Sequence, residues 1–428
     1  MKLYTNPPKS DWATICLRPS IETKNLNATI ETIFAKVESQ GDEALKDYTL
    51  QFDKVHINNL KVTEEEIEAA VTQVAEDLKV AIALSINNVR QFHSSQRLRK
   101  QVLETSPGVE CWQEERPIEK VGLYIPGGSA PLFSTIIMLA VPAQIAGCKE
   151  LVLCTPPNAD GKINPAILYT ASQTGITNIF KIGGAQAIAA LTYGTESVPA
   201  VYKLFGPGNQ YVTAAKQFAQ QKGVAIDMPA GPSELLVYAD ETANPVFVAS
   251  DLLSQAEHGP DSQVICVSNS ETVLMQVQSE IDKQLPELPR KEIAEKAFAN
   301  SRFVCIEDLQ TASEFINEYA PEHLIICSKD EDSFVKNILN AGSVFLGNYS
   351  PESAGDYASG TNHTLPTSGY AKTYSGLTLD AFTKKISFQR LTSKGIRAIG
   401  PAIEIMAGAE GLQAHKNAVS LRLKSLTE

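Results

Sequence analysis

From Val121 onward, short apolar runs alternate with segments of helical periodicity, and no other feature of the chain narrows its possible folds as much. The first series of runs falls at 121–125, 150–154, 178–182 and 201–205; the second falls at 263–267, 303–306, 323–327 and 343–346. Between them lie stretches of about a dozen residues or more that suit helices. One stretch opens on Asn164 and Pro165, an N-cap followed by proline at the position where a missing N–H costs nothing. A parallel strand can be reached only through a crossover, and a parallel sheet must be covered on both faces. The pattern therefore predicts an α/β protein with two Rossmann-like parallel-sheet units, over 120–237 and 238–376. In such sheets ligands sit beyond the carboxyl ends of the strands.

The flanks differ. Residues 1–119 read as a helical region packing with the second unit: Asn27 can cap a helix carrying Ile30, Ile33, Phe34 and Val37 on one face, ended by Gly41. Thr63 and Glu66 make a capping box, after which Ile67, Ala70, Val71, Val74 and Leu78 share a face. Residues 377–428 read as a small, mostly helical appendage. The stretch 348–370, rich in glycine and without periodicity, is long enough to be a functional loop.

Composition narrows the function. The chain has 428 residues, 43% hydrophobic and 20% charged, the profile of a globular protein of roughly three domains. Acidic residues outnumber basic ones by 49 to 37, a net charge of -12, which argues against nucleic acid or an anionic membrane as partner. The apolar stretch 136–146 is interrupted by Pro142 and too short to span a bilayer. Met1 to Pro8 lacks the apolar run of a signal peptide, and the seven scattered cysteines form no Cys-x-x-Cys pair; both fit a reduced, cytoplasmic protein.

With only six histidines, their placement is informative. His56 and His93 have no evident partner and read as surface or packing residues. Gln255 and His258 stand three apart near the end of a helix begun by Asn244–Pro245, so an amide oxygen and an imidazole could share a metal; alternatively His258 caps the helix C-terminus. Asp356 and His363 in the long loop, with His415 in the tail, would add ligands suited to zinc or manganese. Glu322 and His323 are either an acid–base pair lining a cleft or two polar residues in a turn. Three glycine-rich turns, at 124–129, 183–186 and 206–209, could cradle phosphate, although none completes Gly-x-Gly-x-x-Gly.

Seven motifs bring these residues together: Tyr124-Ile-Pro-Gly-Gly, Gly183-Gly-Ala-Gln-Ala-Ile, Gly206-Pro-Gly-Asn, the segment 227–234, Leu253-Ser-Gln-Ala-Glu-His258, Ala320-Pro-Glu-His323 and the segment 355–363. In this order, with Glu410-Gly-Leu-Gln-Ala-His415 following, they resemble the histidinol dehydrogenase family from about residue 120 to the C-terminus. The resemblance implies a zinc-dependent, NAD-linked oxidation of L-histidinol to L-histidine through the aldehyde, the last step of histidine biosynthesis. It implies that Gln255, His258, Asp356 and His415 ligate one zinc per subunit, and that Glu322 and His323 are the acid–base pair. Tyr124, Gln186 and Asn209 would contact NAD. Ser233, His363 and Glu410 would contact the substrate, together with His323 and the zinc ligands. It further implies a homodimer whose tail reaches the other subunit's site.

Three other chemistries are open to these residues. A zinc hydrolase would use Glu322 as base and need no nicotinamide. An aldehyde oxidation through a thiohemiacetal would use Cys154, which follows an apolar run. A dinucleotide-binding regulator would bind without turnover.

Overall fold

The computed structural model describes residues 1–19, 26–127, 131–229 and 231–427. Gly128 and Ser129 of the first glycine-rich turn, and Ala230 of the 227–234 segment, lie outside the described residues. The strands, in chain order, are β1 (Lys2–Thr5), β2 (Val102–Ser106), β3 (Val109–Pro117), β4 (Lys120–Tyr124), β5 (Glu150–Thr155), β6 (Asn178–Lys181), β7 (Lys203–Phe205), β8 (Ala225–Ile226), β9 (Glu234–Ala239), β10 (Gln263–Ser268), β11 (Arg302–Cys305), β12 (His323–Cys327), β13 (Ser343–Leu346) and β14 (Thr383–Leu391).

Two parallel sheets dominate, as the alternation predicts. The first runs β6-β5-β4-β7-β8 and the second β1-β11-β10-β9-β12-β13. Each is built outward in one direction and then resumed on the other side of its first central strand, between β4 and β7 and between β9 and β12. These reversals leave crevices. Every residue of β9, β10 and β12 is buried, which is why these strands read as continuous apolar runs. The crossover helices start where their caps demand: Asn164, Asn244 and Asp308 each accept a backbone N–H from the first turn, worth about 1 kcal/mol apiece. Thr63 and Glu66 form their capping box.

The N-terminal region departs from expectation. The helical segment Leu26–Tyr48 is two helices that meet at Gly41, whose φ of 54° ends the first as expected, but their apolar face packs on helices Gly184–Tyr193 and Gln210–Gln221 of the first unit. The reason lies in the receiving helix. Ala185 through Thr192 are all buried and mostly apolar, so the helix needs an outer layer. Helices Glu64–Gln73 and Glu76–Ser94 likewise cover the first unit. β1, paired with β11, and the helix Lys9–Ile15, with Trp12 and Ile15 in the core, join the second unit instead.

The tail is mostly helical but also carries a strand: β14 pairs antiparallel with β3 along nine residues and stacks Phe388 on Trp112. A helical hairpin, Ser393–Ala409 and Gln413–Lys424, follows. Pro142 does not break its segment: helix Phe133–Ala146 passes through it. Proline has no N–H for the Met138 carbonyl, and the Asn362 side chain donates to that carbonyl instead, at 2.7 Å. No helix among the described residues is long and apolar enough to cross a membrane.

Candidate active site

Glu322 and His323 enter the second crevice where Pro321 leads into β12, and both are buried. The backbone of Glu234, the first residue of neighbouring β9, holds them. Its N–H donates to Glu322 Oε2 at 2.8 Å, and its carbonyl oxygen lies 3.2 Å from His323 Nδ1. A carbonyl can only accept, so Nδ1 carries the proton and Nε2 is the free acceptor. Nε2 is buried without a hydrogen-bond partner, 3.8 Å from Asp356 Oδ1. Burial brings the imidazole down to about 4, only partly opposed by Asp356, so the ring is neutral near pH 7. Burial also pushes the Glu322 carboxyl well up, with the charges of Glu234 and Asp356 adding to the effect.

Carboxylates crowd this imidazole. Glu352 Oε1 lies 3.7 Å from Nδ1, as does Glu322 Oε2. Glu352 and Asp356 share the short helix Glu352–Tyr357, where four-residue spacing puts both on one face. Ligand atoms of His258, Glu352 and Asp356 lie within 4.8 Å of one another. The Glu352 carboxyl is also pushed well up, by burial first and then by Asp356, Glu322 and Asp251. Asp251 stands one turn before Gln255, and burial takes its carboxyl to about 7.

Gln255 supplies the clearest sign of what this cluster accommodates. With its amide nitrogen toward Glu352 it donates to both carboxylate oxygens, 3.1 Å from Oε2; with its oxygen that way, either a proton on the Glu352 carboxyl or a cation must lie between them. Crowded anionic oxygens, an amide and the exposed His258 imidazole fit a divalent ion bound by nitrogen and oxygen. His258 lies two residues beyond the end of helix Pro245–Ala256, beside the carboxylates.

This cluster occupies the amino ends of β9 and β12, not the carboxyl ends where a doubly wound sheet is expected to bind ligands. The first unit keeps the usual polarity. Tyr124 ends β4, and its hydroxyl accepts the Gly184 N–H at 2.9 Å; burial raises it to about 12. Gln186, buried, lies in the helix after β6. Asn209 follows β7 and caps Gln210–Gln221 through the N–H groups of Tyr211 and Val212. The carboxyl end of one sheet thus faces the amino end of the other. His363 spans the two: Nδ1 contacts the Asp356 carbonyl at 2.9 Å and Nε2 contacts Thr135 Oγ1, at the start of Phe133–Ala146, at 3.1 Å. Ser233, half-buried, immediately precedes β9.

Glu410 and His415 stand apart. Both are exposed on the helical hairpin, whose contacts run to β14 and β2, and His415 is not in the His258–Glu352–Asp356 cluster. Cys154 is fully buried, and burial drives its thiol upward, which leaves it a protonated core residue. Sequence reading passed over Glu352, Asp251, Glu234 and Thr135. Pairs four apart, Glu352 with Asp356 and Asp251 with Gln255, were the available signal for two of them. His93, read as a surface or packing residue, is buried: Nδ1 contacts Gln96 Oε1, and Asn362 Nδ2 contacts Nε2, one residue before His363.

Comparison with known proteins bears on all of this. A family model for histidinol dehydrogenase matches residues 16–423. The histidinol dehydrogenase of Bacteroides fragilis (strain ATCC 25285) is 58% identical over 426 residues, with 100% of each chain covered. That of Escherichia coli (strain K12) is 52% identical over 417 residues, covering 97% of this chain and 95% of its own. The crystal structure of histidinol dehydrogenase from Elizabethkingia anophelis matches with a TM-score of 0.99 at 56% identity, covering 100% of this chain and 99% of that one.

Proposed function

Because this chain belongs to the histidinol dehydrogenase family, oxidoreductases of histidine biosynthesis, we propose that it oxidises L-histidinol to L-histidine through the aldehyde, reducing two NAD and using one zinc per subunit. The observation that carries this reading is His323: a neutral, buried imidazole whose Nδ1–H is spent on a carbonyl and whose Nε2 is free beside a cluster of nitrogen and oxygen donors.

His323 Nε2 takes the proton of the substrate hydroxyl, and the Glu234 carbonyl stabilises the imidazolium through Nδ1–H. Glu322, held by the Glu234 N–H, takes a proton from the water that adds to the aldehyde; the environment that raises its carboxyl also makes it a stronger base once ionised. Gln255, His258 and Asp356, with His415 from the tail, would hold the zinc, which would supply a template for the substrate's imidazole and amine. Glu352 lies close enough to be a further ligand. Ser233, His363 and Glu410 contact the substrate. Tyr124, Gln186 and Asn209 line the cofactor's side and would hold NAD there, which would supply the hydride acceptor for both oxidations. The exposed Glu410 and His415 complete the site of the second subunit in a homodimer, and the protein is cytoplasmic. Replacing His323 with Asn is expected to lower turnover in both oxidations by a hundredfold or more, on the order expected for a general base, while zinc content stays at wild type. Near-normal turnover in that variant would remove His323 from the base role.

A further inference from the structure

The two hydrogen bonds that orient Glu322 and His323 both end on the backbone of one residue, Glu234. Its side chain is buried and held in turn. Arg18 reaches it from the N-terminal segment with Nε 2.5 Å from Oε1 and Nη2 2.8 Å from Oε2, the parallel fork of a bidentate pair. The Ser368 N–H donates to Oε1 at 2.6 Å, which ties in the loop that follows His363. The same guanidinium donates from Nη2 to the Tyr319 carbonyl at 2.6 Å and lies 4.2 Å over the Tyr319 ring. Ala320, next in the chain, sits in the left-handed region at φ 52°, and Glu322 is two residues further on. Arg18 is itself anchored: the Leu17 carbonyl accepts from Gln263 Nε2 at 3.0 Å, and Gln263 Oε1 accepts from the Tyr319 hydroxyl at 2.9 Å.

We propose that Arg18 and Glu234 are a positioning pair for the reaction: their bidentate contact sets the place of the Glu234 peptide, and through it the orientation of Glu322 and the Nδ1–H tautomer of His323. Neither residue touches substrate in this scheme. The inference rests on the reading of Glu322 and His323 as the acid–base pair. Stability alone is a poor reason to keep such a pair. Buried ion pairs exchanged for apolar residues of similar volume are often neutral or stabilising, whereas removing one partner strands a charge. A shift of the Glu234 peptide would misalign both groups at once, and misplacements of about 1 Å can cost a hundredfold in rate.

The test compares wild type with Glu234→Gln, Arg18→Lys and the double variant Arg18→Met/Glu234→Met, reading melting temperature, zinc content, kcat and the KM values for histidinol and NAD. The double variant is expected to fold and bind zinc, with kcat reduced about tenfold or more and both KM values within about threefold of wild type. Arg18→Lys keeps the charge but loses the fork, so it is expected to lose kcat in the same way. Folded, zinc-loaded variants with wild-type kcat would overturn the proposal. So would failure of all three to fold, since the pair would then be structural. Wild-type protein that makes no NADH from histidinol would instead remove the functional reading on which the inference rests.

Discussion

His93 and His323 are both buried, and burial lowers both imidazoles, with different consequences. His323 keeps Nε2 free for chemistry, whereas His93 uses Nδ1 on Gln96 and Nε2 on Asn362, bracing the loop that carries His363. The bracing should be visible as a pH dependence of stability. An unfolded histidine binds its proton below about 6.5, while folded His93, held lower by burial, stays neutral further into acid. Below that pH the unfolded chain binds more protons than the native one, so stability falls as pH falls, by at most about 1.4 kcal/mol per unit from this group. His323 and His363 add losses of the same sign. His93→Gln should therefore show a shallower fall in melting temperature than wild type between pH 6.5 and 5. Parallel curves would mean that His93 is protonated in the native state.

At the scale of elements, the turn after β7 is the most constrained. Gly206 has φ 127°, and a Cβ there would stand 2.0 Å from the Tyr124 carbonyl oxygen. Its N–H donates to Asp227 Oδ2 and its carbonyl accepts from buried Lys216, each at 2.9 Å. Gly206→Ala must push β4 and β7 apart where Tyr124 and Asn209 stand, so it should destabilise the protein by about 2–4 kcal/mol. It should also raise the KM for NAD more than that for histidinol; unfolding in denaturant with steady-state kinetics checks both, and an unchanged midpoint would contradict the account. Much of this architecture was legible in the residues. Eight strands coincide with apolar runs, most of them because parallel strands buried on both faces cannot be polar, although edge strand β13 buries only Phe345. β9 escaped because its apolar run follows directly on the proline- and glycine-rich 227–234 segment, whose last residue is its first. β3 and β14 escaped because a small antiparallel sheet with exposed residues tolerates alternation such as Lys385-Ile-Ser-Phe-Gln389. The inverted polarity of the second crevice had no local signal, since it depends on Glu352–Tyr357 folding back over β12. Nor does any side-chain pattern announce a residue such as Glu234, which holds the pair through its backbone.

At the scale of the molecule, the helical hairpin sets the exposed His415 and Glu410 apart from the cluster they are proposed to complete. If each site takes its tail from the second subunit, two inactive chains should rescue each other. Co-expression of Glu322→Gln with His415→Ala would give heterodimers with one intact site, and random pairing would restore about a quarter of wild-type activity. No recovery from confirmed heterodimers would mean that each tail serves its own chain. Facing sheets of opposite polarity, joined through His363 and Thr135, would in the proposed reaction give a hydride acceptor and a base one shared place to meet the substrate twice. The most direct test follows NADH absorbance and histidine formation together as purified protein converts L-histidinol with excess NAD. The account predicts two NADH per histidine, lost on chelation and restored by zinc; one NADH with aldehyde accumulating, or turnover indifferent to chelation, would contradict it.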